Sequence, residues 1–273
     1  MSKVLVTGGG GSIGSELVRQ LSASYHEVYV LDTNETACFD LIEELRLKGL
    51  EVSGRVGDVT CERTIDEVFE AFKPEVVFHA AARKHVTPSN WFPKEVIEIN
   101  TLGTYNIIRA CKKYKAKLVN ISTDKVIHAN SIMGATKKVA EIMVKNAGFV
   151  SVRFGNVLGS RGSVIPIWQQ QVDRGESITV THPDMERYFM TIPQACELVI
   201  KAHKIGKPGQ ILILDMGKPI KILDLAKQII QGSGKNIPIK IIGIRPGETM
   251  NEKLMTDEEE KLSTRRGKFW VLY

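Results

Sequence analysis

The chain has 273 residues, of which 43% are hydrophobic and 25% charged, with a net charge of +6 and a pI near 9.0. That length fits one large domain or a domain with a smaller lobe, and the composition is that of an ordinary soluble globular protein. No apolar run approaches the ~18–20 residues that span a bilayer, no Lys/Arg run interleaved with aromatics marks a nucleic-acid surface, and the cysteines make no CxxC or metal spacing. The basic balance suits an anionic ligand or a membrane surface, but a lysine-rich solvated exterior is the plainer reading. Cys38, Cys61, Cys111 and Cys196 are scattered and read as reduced thiols of a cytoplasmic protein. A strand starting at Lys3 leaves no room for a signal peptide in front of it.

Along the chain, strand-like apolar runs alternate with helical patterns. The strands are KVLVTG (3–8), EVYVLD (27–32), EVSGRVGD (51–58), EVVFHAA (75–81), KLVNIST (117–123) and FVSVRFGN (149–156). Between them, apolar residues at helical spacing predict helices over 12–24, 36–49, 61–73, 95–114 and 133–147. This alternation predicts βαβ units and an α/β fold with a doubly wound parallel sheet. Ligands of such sheets bind at the carboxyl ends of the strands. After Asn156 the rhythm changes to a Gly-rich segment, a helix, a short strand ITVTH, a helix near 193–205, a strand over 210–215 and a helix near 222–231. The expected division is a Rossmann domain over 1–157 and a smaller lobe over 158–273 that folds over the sheet edge and interleaves with the first. The closing TDEEEKLSTRRGKFWVLY fits either a packed segment or a mobile tail.

The segment VLVTGGGGSIGSELV places Gly8, Gly11 and Gly14 between a strand and a helix. Glycines there permit a tight turn and close approach to a pyrophosphate, and the helix start at Ser12–Ile13 offers free N–H groups. A merely flexible loop is the alternative. Asp32 ends the second strand, where a carboxylate accepts from adenosine ribose hydroxyls and repels a 2′-phosphate; this favours NAD over NADP. A helix cap or turn role would also explain Asp32. Asp58-Val59 ends the third strand and could meet the adenine, or Asp58 could simply cap the next helix.

The motifs TGGGGSIG, GDV, FHAAARKHV, NTLGTYN, ISTDK, MGATKK, RFGNVLGSRGSVIP, THPDMERYFMT and RPGE run in order through nearly the whole chain. Together they closely resemble the extended short-chain dehydrogenase/reductases of polysaccharide biosynthesis, and more narrowly the CapD-like UDP-N-acetylglucosamine 4,6-dehydratases. Two positions depart from that pattern, Arg83 in AARKH and Thr249 after RPGE. The resemblance implies bound NAD, with Ala80 and Ala81 joining the glycine turn at the cofactor. It implies oxidation of the sugar at C4, loss of the C5 proton, departure of the C6 hydroxyl as water and reduction at C6. It also implies a homo-oligomer with no metal.

Such a cycle needs an acid and a base near C5 and C6. The resemblance makes Lys125 the C5 base and Asp124 the acid toward the C6 oxygen; otherwise they form a surface ion pair at a strand end. In place of Tyr-x-x-x-Lys the helix carries Met133-Gly-Ala-Thr-Lys137, with both side chains on one face. Lys137 can reach the nicotinamide ribose, whereas Met133 has no useful proton to exchange. Thr123 becomes the candidate for orienting the C4 hydroxyl, with Asp124 as another proton acceptor in that oxidation. Lys84, His85 and Asn156 lie after strand ends and are expected near the sugar. Arg187 and Arg245 suit the diphosphate, and Glu248 the uridine ribose; each has a salt bridge or turn as its alternative. The function expected is a C5-retaining UDP-N-acetylglucosamine 4,6-dehydratase. The rivals are the C5-inverting enzyme, a related epimerase, and a non-catalytic NAD or nucleotide-sugar sensor on the same fold.

Overall fold

A computed structural model gives the fold, described for residues 2–24 and 27–273. In β1 (Lys3–Thr7), Val4 and Val6 pack into one apolar cluster and Leu5 into another, as the alternation of side chains along a strand requires. Both faces of the strand are therefore buried. The first half of the chain continues with α1 (Ser12–Ala23), β2 (Glu27–Asp32), α2 (Glu35–Leu47), β3 (Val52–Val56), α3 (Glu62–Phe72) and β4 (Val76–His79). Then come α4 (Val86–Trp91), α5 (Pro93–Ile97), a π-helical turn (Glu98–Gly103), α6 (Thr104–Tyr114), β5 (Lys117–Ile121), a 3₁₀ turn (Asp124–Val126), α7 (Ile132–Asn146) and β6 (Val150–Arg153).

The second half supplies β7 (Asn156–Leu158), α8 (Val164–Asp173), β8 (Ile178–Val180), β9 (Glu186–Arg187), β10 (Phe189–Thr191), α9 (Ile192–Ile205) and β11 (Ile211–Leu214). It ends with β12 (Ile220–Lys221), α10 (Ile222–Ser233), β13 (Ile239–Ile241), α11 (Asp257–Leu262), β14 (Thr264–Arg266) and β15 (Phe269–Leu272). Among the described residues, the main sheet has nine strands in the order β14-β15-β11-β6-β5-β4-β1-β2-β3. Its strands from β11 to β3 are parallel, and β15 and β14 close the far edge antiparallel. One apolar cluster joins α1, α2 and α9 to the sheet; the other joins α3 and α6 to the opposite face. This is the three-layer α/β fold expected from the alternating pattern. Among the described residues, no helix is long and apolar enough to cross a membrane.

The expected elements appear with informative differences. The helix expected over 95–114 is broken by the π-helical turn, which holds Asn100 inside the protein. The strands expected to reach residues 81 and 123 stop at His79 and Ile121, because the residues beyond leave the sheet for the cleft above it. The run 149–156 splits into β6 and β7, and β7 pairs with β10 instead of staying in the main sheet. Residues 158–273 divide between two places. Trp168, Val172, Ile178, Val180, Ile222 and Ala226 form a separate small core under α8 and α10. By contrast, α9, β11, β14 and β15 return to the main sheet, so the closing segment is packed.

That return is fastened by a buried ion cluster. The Arg153 side chain is wholly inaccessible; its Nη2 meets Glu141 Oε1 at 2.6 Å and its Nη1 meets Glu259 Oε2 at 2.7 Å. Arg153 Nη1 also donates to the Leu254 carbonyl at 3.0 Å, and Ser122 Oγ donates to Glu141 Oε2 at 2.6 Å. Burial works against the guanidinium charge, but the two carboxylates outweigh it and raise its pKa. Removing one partner of such a cluster strands uncompensated charge. Arg153→Met is therefore expected to lower stability by about 3–5 kcal/mol, read as the loss of unfolding free energy in a denaturant titration.

Candidate functional site

The strand order reverses between β1 and β4, which opens a crevice at their carboxyl ends. The glycine turn lines it. Gly8 has φ +70°, and a Cβ there would lie 2.5 Å from the Ala81 nitrogen. A Cβ on Gly14 would lie 2.0 Å from the Gly8 carbonyl oxygen. Only glycine lets the turn and α1 pack this closely, which brings Ala80 and Ala81 to the turn. Gly11 caps α1 without any side-chain acceptor, so the first N–H groups, at Ser12 and Ile13, are not taken by a cap. Ser12 Oγ accepts from the Arg161 N–H at 3.0 Å, which ties the 159–163 loop to the turn.

Asp32 Oδ2 accepts from Gly10 N–H at 2.9 Å and Oδ1 from Asn34 N–H at 2.9 Å, while Asn34 itself caps α2. The carboxylate thus stands at the glycine turn and also shapes its own. Asp58 Oδ1 accepts from Thr60 N–H at 2.8 Å, a local turn ahead of Cys61, which caps α3. Val59 is buried, and Asn106 Nδ2 donates to its carbonyl at 3.0 Å. The uncapped helix start, the absent Cβ atoms and the carboxylate at the second strand's end fit a dinucleotide: pyrophosphate on the turn, ribose at Asp32.

A buried polar chain stiffens this crevice, and sequence reading does not single it out. His79 Nδ1 lies 2.7 Å from Thr7 Oγ1, and Nε2 lies 3.0 Å from Thr104 Oγ1. Thr104 donates its hydroxyl to the Asn100 carbonyl, so its oxygen accepts from His79 Nε2–H. Burial, helped by Lys137, pushes the His79 pKa down to about 3, so the ring is neutral. Asn100 Oδ1 accepts from Arg83 N–H at 2.8 Å, and its Nδ2 donates to the Arg83 carbonyl and to Thr136 Oγ1, both at 3.0 Å. These bonds link the loop after β4 to α7. The Arg83 guanidinium instead turns outward to Glu95.

The second half of the site lies beside the crevice, past the end of β5. Thr123 donates to Asp124 Oδ1 at 2.9 Å. Lys125 Nζ meets Asp124 Oδ1 at 3.1 Å, Glu252 Oε1 at 3.0 Å and Asn156 Oδ1 at 3.3 Å. Burial raises the Asp124 pKa to about 6 against the pull of Lys125, with Glu252 adding to the rise. Burial alone would lower the Lys125 pKa, but Asp124 and Glu252 outweigh it and the net shift is upward. Burial would raise the Glu252 pKa, but Lys125 and Arg187 hold it below the usual carboxylate range. Lys137 Nζ donates to the Ile121 carbonyl at 2.6 Å, and burial brings its pKa down to about 8. Met133, one turn away on α7, is 2% exposed and packed.

Asp124, Lys125, Asn156, Arg187, Glu248 and Glu252 line one cleft of about 180 Å³. Arg187 is committed to the chain itself: it donates to the carbonyls of Glu186, Thr249 and Met250 at 2.7–2.9 Å and pairs with Glu252 at 3.3 Å. Arg245 is exposed outside that lining, and its N–H donates to Glu248 Oε2 at 3.2 Å. Lys84 Nζ donates to Ser160 Oγ at 3.2 Å. Desolvation, then Lys125, lowers the Lys84 pKa. The His85 ring lies against Gly162, 2.7 Å from where a Cβ would stand. Glu252 is the site residue that sequence reading missed. It follows RPGE in an irregular stretch, and its partners are distant in the chain.

The chain matches the family described as "Polysaccharide biosynthesis protein" over residues 4–273. It is 45% identical over 271 residues to the capsular polysaccharide biosynthesis protein CapD of Staphylococcus aureus, covering 94% of this chain and 45% of that protein. It is also 45% identical to the probable polysaccharide biosynthesis protein EpsC of Bacillus subtilis, with the same two coverages. The chain therefore spans about half the length of these relatives. It is 33% identical to the UDP-glucose 4-epimerase of Rickettsia canadensis, covering 94% of this chain and 78% of that one. Among solved structures it resembles Pen from Bacillus thuringiensis, with a TM-score of 0.94 and 36% identity over 99% of this chain and 87% of Pen. It also resembles the UDP-glucose 4-epimerase of Thermus thermophilus in complex with NAD, with a TM-score of 0.81 and 26% identity over 93% and 90% of the two chains. A nine-stranded doubly wound fold, a glycine turn at its switch point and a match over almost the whole length make this chain a member of the polysaccharide biosynthesis protein family, with the fold of the extended short-chain dehydrogenase/reductases.

Proposed function

We propose that the protein is an NAD-dependent UDP-N-acetylglucosamine 4,6-dehydratase that retains the C5 configuration. The observation that carries this reading is the Asp124–Lys125 pair in a cleft beside the dinucleotide crevice. Interconverting C4 epimers requires a proton shuttle only at C4. Dehydration also requires an acid and a base at C6 and C5, and this pair supplies both. The packed Met133, in the place of a shuttle tyrosine, further disfavours an epimerase, although UDP-glucose 4-epimerases are among the similar proteins. The sequence MGATKK leans toward retention over inversion at C5.

The glycine turn, Asp32, Ala80, Ala81 and Lys137 would hold NAD. When bound, NAD would supply reversible hydride exchange with the sugar. Asp124, with a pKa near 6, is poised to protonate the departing C6 hydroxyl. Lys125 would remove the C5 proton after losing its own. Thr123, already bonded to Asp124, would orient the C4 hydroxyl. Lys84, His85 and Asn156 would face the sugar, and Glu248 the uridine ribose. Arg187 would shape the cleft by anchoring residues 249–252, and Arg245 would reach the diphosphate from its exposed turn. Exposed Trp91, Ile97, Tyr105, Val139 and Ile142 on α4 to α7 support a homo-oligomer through that helical face.

Four outcomes test this reading. Calorimetry should give tighter binding of NAD than of NADP, and Asp32→Ala should narrow the difference; tighter NADP binding by the unaltered protein would reject the assignment. Incubation with UDP-N-acetylglucosamine in deuterated water should give the 4-keto-6-deoxy product with label at C5. Lys125→Met should bind NAD yet lose C5 exchange and product, with a rate loss of at least ~10²-fold, whereas Met133→Leu, a volume-conserving change worth under ~1.5 kcal/mol, should fall only modestly. Light scattering should report more than one copy per particle, and a monomer at working concentration would rule out the oligomer.

A further inference from the structure

Glu252 has no part in the acid–base scheme above, yet it touches most of the groups that do. Its side chain is 8% exposed. Oε1 lies 3.0 Å from Lys125 Nζ, and Oε2 lies 3.3 Å from Arg187 Nε and 3.4 Å from Asn156 Nδ2. It shares the Lys125 ammonium with Asp124, whose pKa it helps to raise. Asp124 uses Oδ1 for the Thr123 hydroxyl and the Lys125 ammonium, while its Oδ2 is buried with no donor directed at it. A bare carboxylate oxygen in that position would carry an unrelieved desolvation cost. A neutral carboxyl carries a smaller cost there. The three N–H groups of a Lys125 ammonium find three acceptors, on Asp124, Glu252 and Asn156.

We propose that Glu252 is a positioning residue that sets the protons of the resting site, favouring the neutral acid form of Asp124 and the ammonium form of Lys125; its catalytic meaning rests on the dehydratase reading. Two carboxyl groups in one dry site cannot both ionise cheaply, so the negative charge settles where cations are nearest. Among the described residues, Glu252 has both Lys125 and Arg187 within ion-pair distance, whereas Asp124 has only Lys125. The other charged groups facing the cluster are Lys84 from the loop after β4, His128 past the 3₁₀ turn, and Glu248 and Lys253 on the segment of Glu252 itself. None of these meets Asp124 in a described ion pair.

The test compares the unaltered protein with Glu252→Gln, which keeps the shape of the side chain and removes its charge. Carbon-13 NMR of labelled aspartate carboxyls, with Asp124→Asn identifying the resonance, follows Asp124 without any sugar present. The unaltered protein should titrate near 6, well above the ordinary aspartate value of ~3.9. In Glu252→Gln the midpoint should fall toward that ordinary value. An ordinary midpoint in the unaltered protein would overturn the proposal even if the variant failed to fold. So would an unchanged midpoint in a variant that melts cooperatively and binds NAD. With UDP-N-acetylglucosamine, kcat of Glu252→Gln should drop on the order of 10²-fold with KM within a few-fold; a raised KM at unchanged kcat would overturn the role as well. Should the unaltered protein not dehydrate this sugar, the dehydratase reading falls, and the carboxyl titration still decides the proton assignment.

Discussion

The cluster of Arg153 with Glu141 and Glu259 is the interaction on which the site depends. It joins the end of β6, the middle of α7 and the start of the closing segment in one buried set of charges. Each carboxylate would be costly alone in that environment, and the guanidinium fork satisfies both. By donating to the Leu254 carbonyl, Arg153 also places the backbone two residues after Glu252. Glu252 then reaches Lys125 and Arg187 across the cleft. Packing at the edge of the sheet and the charge state above it are thus parts of one arrangement.

A second constraint acts on the cofactor side. Gly8 and Gly14 let the first strand, its turn and α1 approach within distances that no Cβ allows. The turn is thereby held against Ala81, just past the end of β4. From β4 the neutral His79 and Asn100 carry hydrogen bonds on to α7, which bears Met133 and Lys137. The crevice at the glycine turn and the cleft of Asp124 and Lys125 are consequently referenced to the same buried frame. A π-helical turn within the helix expected over 95–114 makes this possible, because it places Asn100 where its amide can bridge the loop after β4 and Thr136.

Much of this frame is legible in the sequence because its causes are local. Alternating apolar runs identify the strands, and the glycine spacing between a strand and a helix locates the turn. The polar residues that follow KLVNI mark Thr123, Asp124 and Lys125 as candidates for a site. Arg187 shows where such reading stops. A guanidinium near a phosphate-type ligand is a sound expectation from chemistry, yet in the fold its N–H groups are taken by the carbonyls of residues 186, 249 and 250. Arg245 and Glu248, three residues apart in one motif and joined by a hydrogen bond, also differ: one is exposed and the other lines the cleft.

The sequence by itself determined the layer order, the glycine turn, the carboxylate at the end of β2 and the Asp124–Lys125 pair past the end of β5. Each depends on neighbours within a few residues, on side-chain periodicity or on the steric freedom of glycine. Only the tertiary structure decided that the closing segment returns to the sheet, that Arg153 holds it there, and that Glu252 stands against Asp124 and Lys125. Those facts depend on contacts between residues separated by about a hundred positions, and no local pattern records which distant charge will share a dry environment. Burial then decides how protons are distributed among charges that the sequence shows only as a list.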